Sequence, residues 1–236
     1  MQNNLLNSRG LHVITGLIFL SSVTLFSCTK TSNNQTVTPV SILSVIDVSP
    51  DAPALDFYEN STVINTNAIN YGSGLAYFNS YAGNVAFSFD GNGTSTKLGA
   101  DNVTLTANHY YTLILANSIK TPDFILLADT LVSPGQTNSS IRFINASANA
   151  PAVDVVVKKG SVLINNIAYK GVTKFVSAPV MTNDTLQVLQ AGTSTVLATL
   201  PNITFESAGA YTIWLYGVPG STTTPLAIGA MQNAAF

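Results

Sequence analysis

Residues 47–56 read Asp-Val-Ser-Pro-Asp-Ala-Pro-Ala-Leu-Asp, and residues 145–154 read Asn-Ala-Ser-Ala-Asn-Ala-Pro-Ala-Val-Asp. The second stretch begins 98 residues after the first. Later landmarks recur in the same order, for example Tyr-Thr-Leu at 111–113 and Tyr-Thr-Ile at 211–213. Collinear matches over this distance indicate two tandem copies of one fold rather than a solenoid of short repeats.

Each copy carries the residue pattern of β-strands. At 85–89 the larger side chains Val, Phe and Phe alternate with Ala and Ser, and the β-branched or aromatic runs 110–116 and 211–216 lie between turn residues. Beyond the amino-terminal apolar segment we find no sustained helical stripe. The pattern predicts an all-β protein with two tandem immunoglobulin-like β-sandwich domains after a signal peptide and a flexible tether.

Cys28, the only cysteine in the chain, directly follows an apolar run that extends from Val13 to Phe26. That run has about 14 residues at roughly 1.5 Å each, too few for the roughly 30 Å core of a bilayer. It has the length of the apolar region of a signal peptide. Because a small residue, Ser27, precedes Cys28, we predict a lipoprotein signal peptide and lipidation of Cys28. The alternative is an ordinary signal peptide in which Cys28 is incidental.

The segment that follows Cys28 is polar and has no period, so it is predicted to be a flexible tether. A second cluster of turn formers, at 134–138, separates the two copies. The predicted organisation is a signal peptide, 1–27; a lipidated cysteine and tether, 28–40; a first sandwich, 41–134; and a second sandwich, 139–236.

The charge composition of the chain limits the classes of partner that it can bind. Without the signal peptide, and hence without Arg9, the chain has eight basic and eleven acidic residues. This weak, dispersed charge excludes a basic surface for nucleic acid. We expect a lipid-anchored envelope protein, held in the outer membrane of a Bacteroidota-type bacterium. Since no acidic cluster follows Cys28, the periplasmic face is slightly favoured.

The repeated motif holds the candidate binding residues. Asp47, Asp51 and Asp56 place three carboxylates around a proline-containing turn, and such oxygen-rich loops can bind Ca²⁺. A turn role is favoured, because Asp and Asn bond their own backbone and the second copy has Asn at the first two positions. Asp154 is the unchanged equivalent of Asp56. No metal or other cofactor is expected.

Catalytic patterns are scarce. His109 is the only histidine beyond the signal peptide, and its place at a strand start favours a structural role. We find neither a phosphate-binding loop nor a nucleophile elbow. A hydrolase with an unrecognised carboxylate pair stays open, but the expectation is that the protein is not an enzyme.

Three features allow two interpretations. Tyr111 and Tyr211 either correspond to the tyrosine corner of immunoglobulin-like sandwiches or are ordinary core tyrosines. The strand that carries Trp214 is apolar on both faces, which favours packing against the other domain over an aromatic platform for sugar. Thr130 and Thr185 lie in Asp-Thr-Leu triplets. These triplets resemble O-glycosylation acceptors, or each is simply a turn aspartate followed by the threonine that starts a strand.

The motif at 47–56 and 145–154 resembles that of domain of unknown function 4397, a family of bacterial envelope and secreted proteins that often occurs in tandem copies. The resemblance covers almost all of residues 41–236 and implies an all-β extracytoplasmic module without an established activity. The sequence thus predicts a non-catalytic cell-envelope lipoprotein with a binding or scaffolding role. The alternatives are a carbohydrate-binding component of a glycan-handling system and the hydrolase.

Overall fold

A computed structural model describes residues 38–236 of the chain. The predicted signal peptide, the lipidation of Cys28 and the tether up to residue 37 lie outside the described residues. Within them the chain forms sixteen β-strands and no helix. The prediction of an all-β protein is confirmed.

The first sandwich contains eight strands in two sheets of four. The strands are β1 (Val40–Asp47), β2 (Leu55–Glu59), β3 (Thr62–Val63), β4 (Gly74–Tyr81), β5 (Gly83–Gly91), β6 (Lys97–Leu105), β7 (Tyr110–Ala116) and β8 (Asp123–Ala128). One sheet has the order β4-β1-β7-β8 and the other β3-β2-β5-β6. Strands β1 and β7 are parallel, and the other pairs are antiparallel.

The second sandwich repeats this topology. Its strands are β9 (Asn138–Asn145), β10 (Val153–Val157), β11 (Val162–Ile167), β12 (Val176–Pro179), β13 (Met181–Gln190), β14 (Val196–Phe205), β15 (Gly209–Tyr216) and β16 (Ala227–Ala235). The sheet orders are β12-β9-β15-β16 and β11-β10-β13-β14, and β9 is parallel to β15 as β1 is to β7. The prediction of two tandem β-sandwich domains is confirmed.

Each sandwich has its own apolar core, in which Phe57, Phe87 and Phe89 are buried in the first and Phe143 and Phe205 in the second. A third apolar layer joins the domains. Its buried members are Ile46, Val48, Ile114, Ala116, Leu127, Ile144, Ala146 and Trp214. The sheets that contain β1 and β9 therefore face each other, and the protein has four sheet layers.

The third layer explains why the central strands are apolar on both faces. One face of β15 packs into the core of its own sandwich through Ile213, and the other face packs on the first domain through Trp214. Trp214 lies over Gly229, where an added Cβ would come within 2.1 Å of the indole. The domain-packing interpretation of Trp214 is confirmed.

The two repeated tyrosines hold the turns that precede their strands. The hydroxyl of Tyr111 accepts a hydrogen bond from the backbone N–H of Thr106 at 3.1 Å, and that of Tyr211 accepts one from Glu206 at 2.9 Å. Both bonds reach back five residues along the chain. This is the contact that the comparison with a tyrosine corner predicts.

In residues 38–236 no helix has the length and apolar character that crossing a membrane requires.

Candidate functional site

A cavity of about 650 Å³ lies where the two sandwiches meet, beside the segment that joins them. We call it the linker cavity. It is formed by β8 of the first sandwich, residues 130–134 of the joining segment, and β9 with residues 172–177 of the second sandwich. The larger apolar side chains of its lining are those of Leu126, Leu127, Val132, Pro134, Val172 and Phe175. The volume is within the range of small-molecule sites in proteins, about 300 to 1,000 Å³.

The alternation of β9 places two polar residues in the linker cavity. Ile141 and Phe143 point into the core of the second sandwich. Because successive side chains of a strand point to opposite faces, Ser140 and Arg142 point toward the first domain. Both line the cavity and both are buried, with 5% and 3% exposure.

Arg142 forms a buried ion pair across the domain boundary. Its Nη2 lies 2.5 Å from Oδ1 of Asp129, whose side chain is fully buried. Such a pair overcomes its desolvation cost only when further hydrogen bonds satisfy both groups. Arg142 also donates to the hydroxyls of Thr212 at 3.0 Å and Thr112 at 3.3 Å, and to the carbonyl of Ala128 at 3.3 Å. The guanidinium lies 4.8 Å from the ring centroid of Phe175, which is a cation–π contact.

The other oxygen of Asp129 extends this network. Asp129 Oδ2 accepts hydrogen bonds from Thr112 and from the hydroxyl of Tyr77. Burial and the neighbouring Asp129 raise the pKa of Tyr77, which keeps the phenol protonated. Asn233 of the second sandwich donates to the same hydroxyl at 2.7 Å. The network therefore joins both domains directly beside the linker cavity.

The first aspartate of the repeated motif is buried at the end of β1. Asp47 Oδ1 accepts a hydrogen bond from the backbone N–H of Ser49 at 2.9 Å, and Asn145 bonds Ser147 in the same way. The predicted turn role of this position is thus seen in both copies. Asp47 Oδ2 has no partner among the described residues. Burial raises the pKa of Asp47 to about 7, opposed by the bond from Ser49.

Asp51 fixes a neighbouring loop rather than its own turn alone. Its carboxylate accepts hydrogen bonds from the Ser118 hydroxyl at 2.6 Å and the Ile119 backbone at 2.7 Å. Burial would raise its pKa, but these bonds outweigh burial and hold the pKa below the usual 3.8. Asp51 and its equivalent Asn149 both line a cleft of about 360 Å³. We call this the motif cleft, since the two copies of the motif form its sides.

The third aspartate of the motif has the same role in both domains. Asp56 accepts a hydrogen bond from the backbone N–H of Gly93, and Asp154 accepts one from Gly192. Bonds from Gly93 and from the Asn92 side chain lower the pKa of Asp56. Each aspartate thus holds the turn of a neighbouring hairpin, which explains why it recurs unchanged.

The structure does not gather the motif carboxylates into a metal site. In the part of the chain from residue 38 onward, no group of three or more His, Cys, Asp or Glu side chains could hold a metal ion. Thr130 is exposed and lines the linker cavity, and Thr185 is half-buried in β13. Their O-glycosylation stays a prediction, as does the lipidation of Cys28.

Sequence reasoning missed the two polar residues of the linker cavity. Ser140 and Arg142 differ from their counterparts in the first copy, Ile42 and Ser44. The only available signal was this departure from the repeat: a serine and an arginine replace an apolar and a small residue in a strand that is otherwise buried. The sequence places the neighbouring Asp129 only in the Asp-Thr-Leu triplet of Thr130.

The comparison with protein families concerns the first sandwich and the start of the second. Residues 41–156 match the family model of DUF4397, a domain of unknown function. The DUF4397 match covers the first sandwich, passes through β9 and ends in β10. It contains both copies of the repeated motif. The predicted resemblance is confirmed for these residues, and a separate second copy of DUF4397 stays a prediction. No curated protein matches the chain.

Three solved structures are similar at a low level. The Bacillus anthracis TIE protein has 11% identity and a TM-score of 0.24 over 77% of this chain, which spans only 34% of that protein. A family CBM26 module from Eubacterium rectale Amy13K, in complex with maltoheptaose, has 9% identity and a TM-score of 0.24. The match covers 82% of this chain and 97% of that module. Family 41 carbohydrate-binding modules from streptococcal virulence factors have 10% identity and a TM-score of 0.23, with 80% and 96% covered. Similarity at this level indicates neither a shared ligand nor a shared activity.

Proposed function

We propose that this protein is a non-catalytic ligand-binding lipoprotein of the cell envelope, with the linker cavity as its binding site and Cys28 as its anchor. The observation that carries the proposal is the cavity at the domain junction. Its walls are mainly apolar and contain a few convergent polar groups, the composition that is typical of small-molecule sites.

A polar group inside the linker cavity supports a ligand role. The hydroxyl of Ser140 is buried and has no hydrogen-bond partner in residues 38–236. An unsatisfied buried polar group costs about 1 to 3 kcal/mol. A bound ligand that bonds this hydroxyl removes the cost, which favours the occupied state.

Blocking the cavity tests the proposal. Val132 lines the cavity but is 66% exposed, so Val132→Trp fills the space without disturbing a core. Native mass spectrometry of protein purified from envelopes is expected to show a non-covalent ligand on the wild type and none on Val132→Trp. The matched control is Val162→Trp, at an exposed strand position outside the lining. Wild type without ligand, or equal loading of all three proteins, contradicts the proposal.

The anchor is tested separately. Cells fed an alkyne fatty acid are expected to label the wild type and not Cys28→Ala. Label that persists in the variant would show that Cys28 is not the acylated residue.

Carbohydrate binding is the second candidate function, favoured by a different surface. Tyr110 and Phe236, which are 40% and 49% exposed, line a cleft of about 470 Å³ together with Asn108 and His109. Exposed aromatic rings beside amide groups suit the apolar faces and hydroxyls of a sugar. Binding to an envelope glycan array that is lost in Tyr110→Ala and kept in Val132→Trp would assign the function to this cleft.

A hydrolase has less support. None of the three cavities described here within residues 38–236 is lined by two carboxylates. The motif cleft has Asp51, and the cleft beside Tyr110 and Phe236 has Asp129, which is already paired with Arg142.

A further inference from the structure

We infer that the linker cavity binds an anionic amphiphile, a molecule with a short apolar chain and a carboxylate head group. This inference rests on the proposed function and specifies its ligand. Three independent features of the lining lead to it: unused hydrogen-bond donors, the sign of its charge, and its apolar walls.

The unused donors lie on β9. The guanidinium of Arg142 has five N–H donors. Within the described residues Thr212, Thr112 and Ala128 each accept one hydrogen bond, and Asp129 lies beside Nη2 as the ion-pair partner. One N–H of Nη1 is left, and the hydroxyl of Ser140 is also without a partner. A group that accepts two hydrogen bonds, such as a carboxylate, matches this pair.

The charge of the lining is positive. Arg142 and Lys174 line the cavity, and no Asp or Glu does. Lys174 is exposed and forms no ion pair within residues 38–236. Since Asp129 neutralises much of the charge of Arg142, Lys174 supplies the net attraction for an anion. A cationic head group is disfavoured by the same two residues.

The apolar walls accommodate a chain. Leu126 and Leu127 come from the first sandwich, Val132 and Pro134 from the joining segment, and Phe175 from the second sandwich. Burial of an alkyl chain against such walls is favourable in proportion to the apolar area that leaves water. A purely polar anion such as inorganic phosphate would leave these walls uncovered, so an amphiphile fits better.

The test compares three probes with one chain length: octanoate, 1-octanol and octyltrimethylammonium. Titration calorimetry of the purified protein is expected to show one octanoate per chain. Octanoate is expected to bind about tenfold tighter than 1-octanol, because hydrogen bonds to charged groups contribute roughly twice as much as neutral ones. Octyltrimethylammonium is expected to bind more weakly than both.

Variants locate the head group. Lys174→Gln and Ser140→Ala are each expected to weaken octanoate several-fold, about three- to tenfold, and to change 1-octanol less. Lys120→Gln is the matched control, since Lys120 is an exposed lysine outside the lining. Added salt is expected to weaken octanoate but not 1-octanol.

The outcomes separate the ligand class from the site. Equal binding of octanoate and 1-octanol, blocked by Val132→Trp, would overturn the anionic ligand and keep the cavity as the site. Tighter binding of octyltrimethylammonium would overturn the anionic ligand as well. Binding of octanoate that Val132→Trp leaves unchanged would place it outside the cavity and overturn this inference. The native mass spectra then decide the proposed function independently.

Discussion

Asp129 and Asn233 occupy equivalent positions in the two sandwiches, and the hydroxyl of Tyr77 bonds both side chains. Asp129 lies two residues beyond the strand partner of Thr112, and Asn233 lies two residues beyond the strand partner of Thr212. Thr112 donates to Asp129 at 2.8 Å, and Thr212 donates to Asn233 at 2.7 Å. The two halves of the network are therefore copies of each other.

Arg142 breaks this symmetry. It lies between the two threonines and bonds both. The equivalent residue of the first copy is Ser44, whose hydroxyl donates to the backbone of Leu75 at 2.8 Å. Arg142, the charged residue that the second copy contributes to the network, thus pairs with Asp129, the acidic residue that the first copy contributes.

The first prediction concerns this pair. Asp129→Asn leaves the Arg142 charge buried without a counterion, and removal of one partner from a buried pair costs about 3 to 5 kcal/mol. Urea unfolding is expected to show this loss. Asp123→Asn is the matched control, because Asp123 pairs with Lys170, which is half-exposed, and such pairs contribute about 1 kcal/mol or less. Equal losses in the two variants would show that the Arg142 pair does not stabilise the fold.

The second prediction concerns pH. The folded state raises the pKa of Asp47 from 3.8 to about 7, so between these values the folded protein holds a proton that the unfolded chain has lost. Stability must then fall as pH rises through this window. One pKa unit corresponds to about 1.4 kcal/mol. Asp47→Asn is expected to unfold at higher urea concentration than the wild type at pH 8, with a smaller advantage at pH 5.

A structural reason supports this gain. The amide of Asn145 donates to the carbonyls of Pro151 and Ile167, and the equivalent carbonyls exist in the first copy. Asp51→Asn is the control of opposite sign, because a carboxylate with a lowered pKa stabilises at high pH and loses this contribution as pH falls. An Asp47→Asn variant that is less stable than wild type at pH 8 would refute the assignment.

The third prediction concerns the repeated tyrosines. Tyr111→Phe and Tyr211→Phe each remove an acceptor from a backbone N–H and keep the ring. A lost hydrogen bond costs about 0.5 to 1.5 kcal/mol. Thermal unfolding is expected to show this loss in both variants and almost none in Tyr110→Phe, whose side chain is 40% exposed. A loss of stability in only one of the two variants would mean that Tyr111 and Tyr211 do not have equivalent roles.

The fourth prediction uses Trp214, the single tryptophan of the chain. It is 5% exposed and lies in the apolar layer between the domains. The sheets that contain β1 and β9 each bury one face in that layer. Separation of the domains and loss of strands are therefore expected to coincide. Tryptophan fluorescence and far-ultraviolet circular dichroism should give one transition. A fluorescence change that precedes the loss of strands would show that the domains separate while folded.

The strand pattern and the repeat could be predicted from sequence because both are local. Alternation at 85–89 corresponds to β5, and the apolar run 211–216 lies within the doubly buried β15. The turn role of Asp47 was readable from the substitution to Asn145, since only the hydrogen-bonding ability is shared.

The linker cavity could not be predicted in this way. Arg142, in β9, and Asp129, which directly follows β8, lie thirteen residues apart and meet only after two sandwiches have packed together. No sequence period or motif indicates that these two side chains contact each other. The bonds from Asp51 to Ser118 and Ile119 are equally non-local, so the repeat could reveal a turn but not the loop it holds.

The direction of β1 gives the molecule a polarity. The chain enters β1 at Val40 and reaches the motif where the strand ends, about 23 Å further on at roughly 3.3 Å per residue. The motif cleft therefore lies at the opposite end of β1 from Val40, where the chain enters the first sandwich. The loops at that tip differ most between the copies: residues 117–122 connect β7 to β8, whereas the longer 217–226 connects β15 to β16. The motif end of the sandwiches is thus where the two duplicated halves have diverged in length, while the strands beneath them kept one design.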